Sequence, residues 1–162
     1  MNLTGDMALV AFFAAIPFAV AAAYSDLKTM ELPHWLAPAA AVAFAAIVFI
    51  ALPTDEAVSR MIGAAFVLFV GFLLFWANAM GAGDVKVAAA FAIMVAPLDA
   101  AFVLILLSIC SAVNTVAIWG LRRAGFANDN WAFWNQSGRY PYAVALGQTL
   151  LIYLALVAFL VN

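Results

Sequence analysis

Stretches of about twenty mostly apolar residues recur along this chain, and they restrict the solvent in which it can fold. A helix needs roughly 20 such residues to cross a hydrocarbon core. Residues 7–24, 33–52, 59–78, 98–121 and 141–161 each supply one. With 70% hydrophobic and only 9% charged residues, too little polar surface remains to cover a water-facing globule. The sequence therefore predicts an all-α polytopic membrane bundle. A further segment, residues 85–96, would make roughly 18 Å of helix, short for a crossing. Counting it as a short fourth span gives about six transmembrane helices. No shift in composition divides the chain, so residues 1–162 read as one membrane-embedded domain.

The formal net charge is −2 and no basic stripe is present to hold phosphates, which excludes nucleic-acid binding as a reading. The single cysteine, Cys110, lies inside an apolar run, so neither a disulfide framework nor a cysteine metal site is expected. One histidine, His34, with scattered acids is too small a ligand set for a metal, and no cofactor is expected. Six spans sort the basic residues by side. Lys28, Lys86, Arg122, Arg123 and Arg139 fall together, and Arg60 falls opposite with Asp6, Asp55, Glu56 and Asp99. By the positive-inside rule the first group faces the cytoplasm. The first apolar run follows a leader with an acid and no Lys or Arg, so it is expected to be retained rather than cleaved as a signal.

Two aspartates, Asp26 and Asp84, then lie at the cytoplasmic ends of their spans. A carboxylate at the edge of hydrocarbon is costly, which makes it a functional candidate with a partner to be named. Each is the other's candidate. Two carboxylates about 3 Å apart cannot both ionise; one then acts on water as a base while the other donates to a scissile carbonyl. The structural alternative is that each caps a helix or sits in the wet interface, and Asp84, just ahead of an apolar segment, suits capping. Asp84 stands in Gly81-Ala82-Gly83-Asp84-Val85-Lys86. Its two glycines permit a tight turn or a close approach of another chain, and Gly83 is expected to tolerate a side chain less well than Gly81. On a helix Lys86 lies about 200° around the axis from Asp84, so it is expected to point away and snorkel to headgroups.

Pro33 suits the first turn of the second helix, His34 suits polar packing, and Pro17 is placed to kink the first span. The longest loop, residues 122–140, sets Trp131, Phe133 and Trp134 among Asn128, Asp129, Asn130, Asn135 and Gln136. That is the pattern of an interfacial anchor, with a lid or docking surface for a substrate helix as the alternative. The abundant alanines allow helices to approach closely.

Three groups of residues together carry a resemblance. They are Asp26 followed by a short basic loop ending in Leu32-Pro33-His34, the motif Gly81 to Lys86, and Tyr140-Pro141-Tyr142 opening the last span. The chain resembles type IV prepilin peptidases, in the short form associated with tight-adherence pili, within the GxGD class of intramembrane aspartic peptidases. The resemblance implies that Asp26 and Asp84 are the catalytic pair and that Gly81 and Gly83 accommodate an extended substrate backbone. It further implies a prepilin or pseudopilin precursor as substrate, its basic leader being cut at the cytoplasmic face of a bacterial inner membrane. Two departures stand out. Leu32-Pro33-His34 replaces the family's usual Ile-Pro-Asn, and the cysteine-bearing domain that longer relatives use for N-methylation has no counterpart here. Rival readings are a presenilin or signal-peptide-peptidase type protease, whose Pro-Ala-Leu element is not found near the last span, and a proton-coupled transporter or assembly subunit. A transporter often shows internal repeats, and no convincing one is seen.

Overall fold

A computed structural model of the chain describes residues 5–125, 132–135 and 140–160. Among these the regular elements are all helical: α1 (Gly5–Thr29), α2 (Leu36–Ala51), α3 (Thr54–Trp76), α4 (Ala82–Ala92), α5 (Ala100–Arg123), the four-residue α6 (Ala132–Asn135) and α7 (Tyr142–Leu160), with a 3-10 turn at Pro97–Asp99 before α5. Four of them, α1, α3, α5 and α7, are long and apolar enough to cross a membrane. The chain is a multi-pass helical bundle, as its apolar runs predict. The aromatic loop falls mostly outside the described residues. Of it, α6 lies against α1, with Trp134 partly buried.

Small residues bring the helices together. On α1, Ala8, Ala11, Ala15, Ala19 and Ala22 recur at helical spacing and are buried, while Phe13, Val20 and Tyr24 face outward. The alanine stripe meets α7 so closely that a Cβ on Gly147 would lie 3.2 Å from the Ala19 Cβ. With no hydrophobic force between helices in lipid, this backbone proximity supplies dispersion contacts. Helix α4 occupies the middle, packed on α2, α3 and α7. Its Phe91 ring lies 5.9 Å from that of Phe44 on α2, which in turn meets Phe18 of α1 at 5.5 Å. At Gly71 of α3 the fit to α4 is closest, since a Cβ there would fall 2.6 Å from Val85 Cγ1.

Two local expectations are corrected, and one residue proves more deeply buried than its charge alone indicates. Helix α4 begins at Ala82, so Asp84 is the third residue of its first turn and not a cap ahead of it. Helix α2 begins only at Leu36, whose N–H donates to the Pro33 carbonyl at 3.0 Å, so Pro33 shapes the preceding turn. Arg60, sorted to the side opposite the other basic residues, belongs to α3 and is 1% exposed. There its guanidinium bonds the Met94 carbonyl and the Glu56 carboxylate. A lone Arg in an apolar run, four residues after Glu56, is the signal that could have indicated a buried pair.

Candidate active site

Two helix ends deliver the residues around the aspartates. Helix α1 stops at Met30, which takes a left-handed φ of 55° and donates its N–H to the Asp26 carbonyl at 2.9 Å. The Ser25 and Thr29 hydroxyls then donate to the Glu31 carbonyl at 2.7 and 3.1 Å, folding residues 31–34 back across the helix end. Helix α3 ends in a similar way, with Asn78 at φ 57°. A left-handed Asn is common; a left-handed Met is not, and it is held there by the surrounding bonds. Between the two ends lies a cavity of about 770 Å³ whose walls include Asp26, Asp84, Glu31, His34, Gly81, Gly83, Lys86 and Tyr140.

Asp26, one turn from the end of α1, is 5% exposed. Its Oδ2 accepts a 2.9 Å hydrogen bond from the N–H of Ala143, in the first turn of α7. A helix's first N–H groups have no partner within the helix and carry its positive end, so they are natural donors to a carboxylate. Asp84 projects from the first turn of α4, with the Gly81 N–H directed at its carboxylate and Asp26 near enough to interact electrostatically. Its buried Oδ1 has no hydrogen-bond partner among the described residues. An unpartnered buried carboxylate oxygen is costly. The fold thus brings to one cavity two acids that are separated in the chain by two helices, α2 and α3.

The other expected residues fall differently. Gly81 and Gly83 both line the cavity, yet neither has a positive φ, and Gly81 is extended at φ −70° and ψ 145°. Close contact accounts for them instead. A Cβ on Gly81 would lie 2.8 Å from Asp84 Oδ2, and one on Gly83 would lie 3.1 Å from the Leu32 Cβ. His34 is exposed on the cavity wall and is not packed in the bundle. Lys86, expected to point away from Asp84, is exposed and also contributes to the wall. The Ala143 N–H is a site group that sequence reading missed, because a backbone donor leaves no residue-type signal.

Residues 12–116 match the type IV leader peptidase family, well over half of the chain and with both Asp26 and Asp84 inside the matched region. The chain belongs to the type IV leader peptidase family. Membership makes it a protease, and its long apolar helices make it a multi-pass membrane one. The matched region ends within α5, so the Tyr140-Pro141-Tyr142 segment lies beyond it. No curated protein and no solved structure matches the chain.

Proposed function

We propose that the protein is a prepilin leader peptidase in which Asp26 and Asp84 form an aspartic dyad and hydrolyse the bond between a basic leader and an apolar mature segment. The carrying observation is that two carboxylates from distant helices share one cavity wall, within the part of the chain that matches leader peptidases. One carboxylate takes a proton from water as the water oxygen bonds to the scissile carbonyl carbon; the other donates a proton to the carbonyl oxygen. Collapse of the tetrahedral species breaks the C–N bond, and the departing amine takes up a proton. The Ala143 N–H fixes one oxygen of Asp26, limiting its rotation, while the unpartnered Oδ1 of Asp84 has bonding capacity to offer substrate or water. Family membership favours this chemistry over a proton-coupled transporter using the same acids. On the positive-inside rule the dyad end, which bears Lys28 and Lys86, faces the cytoplasm.

Incubating the purified protein with a synthetic prepilin in detergent, followed by mass mapping, tests the proposal. A single cut after the basic leader is expected. Asp26→Asn and Asp84→Asn should each abolish it, and the double variant should be no worse, because the acids act as one unit. Wild-type cleavage by either single variant at matched folded protein excludes that aspartate from the chemistry.

A further inference from the structure

Helix α4 ends inside the bundle. Its last backbone bonds tighten to the 3-10 pattern, with the N–H groups of Ile93, Met94 and Val95 donating to the carbonyls of Ala90, Phe91 and Ala92. Carbonyls beyond such a terminus lack helical partners and cannot be left bare in an apolar interior. Side chains from two other helices meet this end. Arg60 Nη1 of α3 donates to the Met94 carbonyl at 2.7 Å, and Arg60 Nη2 binds Glu56 Oε1 at 3.0 Å. From α7, the Tyr153 hydroxyl accepts the Ala96 N–H at 3.3 Å and donates to Asp99 Oδ2 at 2.9 Å. Arg60 and Tyr153 are each 1% exposed.

Stability alone does not account for this arrangement. Burying a guanidinium costs several kcal/mol in general, and apolar replacements of buried ion pairs are often neutral or stabilising. In addition, the buried Arg60 Nε has no hydrogen-bond partner among the described residues, so the cost is incompletely offset. What the clasp does supply is register. Asp84 is the third of the 11 residues of α4, and Met94 lies two residues past the last of them, ten residues beyond Asp84 or about 15 Å at helical rise. A rigid rod of that length transmits any axial slide or rotation at its clasped end to the carboxylate. A Leu or Met contact would permit such a slide, whereas two directional bonds to Met94 and Ala96 do not.

We propose that Arg60 and Tyr153 are positioning residues for peptide hydrolysis, clasping the inner end of α4 so that Asp84, at its other end, is held opposite Asp26. The inference rests on the dyad reading above, but its geometric part is measurable without activity. Spin labels on Lys28→Cys and Lys86→Cys, each two residues past an aspartate, report the α1 to α4 spacing in a Cys110→Ser background by pulsed dipolar spectroscopy. A control pair at positions 13 and 152 reports α1 against α7.

The 28/86 distribution is expected to broaden or shift in Arg60→Met and in the nearly isosteric Tyr153→Phe, with the 13/152 distribution unchanged. Arg60→Lys, which keeps a cationic donor, should restore much of the narrow distribution. In unlabelled enzyme, Arg60→Met should lower kcat at least tenfold and Tyr153→Phe at least threefold, with KM within twofold and the two limbs of the pH–rate profile displaced. If Arg60→Met fails to fold, Tyr153→Phe and Glu56→Gln/Arg60→Met carry the test. An unchanged 28/86 distribution, equal broadening of both pairs, or a loss of activity that only tracks the folded fraction with the pH profile intact overturns the proposal. Absence of prepilin cleavage by the wild type would instead defeat the dyad reading, leaving the distance measurement to decide whether the clasp sets α4.

Discussion

Asp26 has both a structural and a chemical assignment, and these separate by substitution. Asn retains an oxygen that accepts the Ala143 N–H, whereas Ala leaves that buried donor unpaired, at a cost of about 1–3 kcal/mol. Asp26→Asn and Asp26→Ala should therefore be equally inactive, with Ala melting at the lower temperature in detergent; equal melting would remove the anchoring role. The glycines illustrate how little of a close contact is visible one-dimensionally. The motif predicts Gly83 as the stricter position, but at Gly81 an added Cβ meets the Asp84 carboxylate itself, 2.8 Å away. Gly81 has backbone angles open to any residue, so Gly81→Ala should cost little stability while lowering kcat on the order of tenfold or more by displacing the carboxylate. Gly83→Ala meets Leu32 and shifts a loop, with a smaller loss of kcat. Kinetics on folded, purified variants decide the order, and a larger kcat loss at Gly83 would show that the carboxylate tolerates the crowding.

Helices pack here through deletions of side chain as much as through side-chain interlock. Where α3 meets α4, Gly71 accommodates Val85, and the 2.6 Å that a Cβ would leave is too short for both to remain in place. Gly71→Ala should destabilise by about 1–3 kcal/mol through overpacking. Adding Val85→Ala should recover part of that loss, so a double-mutant cycle should show coupling rather than simple addition. Additive effects in chemical denaturation would mean that the helices part without cost. The same contact sets the lateral position of the segment that carries Asp84, so the packing of an apolar pair has a direct consequence for the site. The apolar runs had indicated that each of these helices exists. It had not indicated that α4 starts early enough to contain Asp84 or that it stops within the bundle, because both depend on partners supplied by other helices.

Across the whole molecule, charge is divided between the two ends. Lys28 and Lys86 accompany Asp26 and Asp84, whereas Asp6, Asp55 and Asp99 stand at the opposite ends of their helices. If the dyad end is cytoplasmic, a cysteine at position 28 should be shielded from an impermeant thiol reagent in intact cells and one at position 55 labelled, both in Cys110→Ser. The reverse pattern would place the site on the wrong face for the cytoplasmic cleavage proposed above. The apolar runs by themselves pointed to a helical membrane bundle, since continuous runs of about twenty apolar residues suit helices rather than the short alternating strands of a barrel. Asp26, Asp84 and the glycine motif were likewise legible as candidates, because a carboxylate at the edge of hydrocarbon is costly, though capping or a wet interface would explain each acid taken singly. Only the tertiary structure decided that the two acids line one cavity, that an α7 backbone N–H bonds one of them, and that Arg60 lies in the interior bonded to the Met94 carbonyl. Each of these depends on a bond between residues far apart in sequence, and neither the strength nor the existence of such a bond is encoded in local composition or spacing.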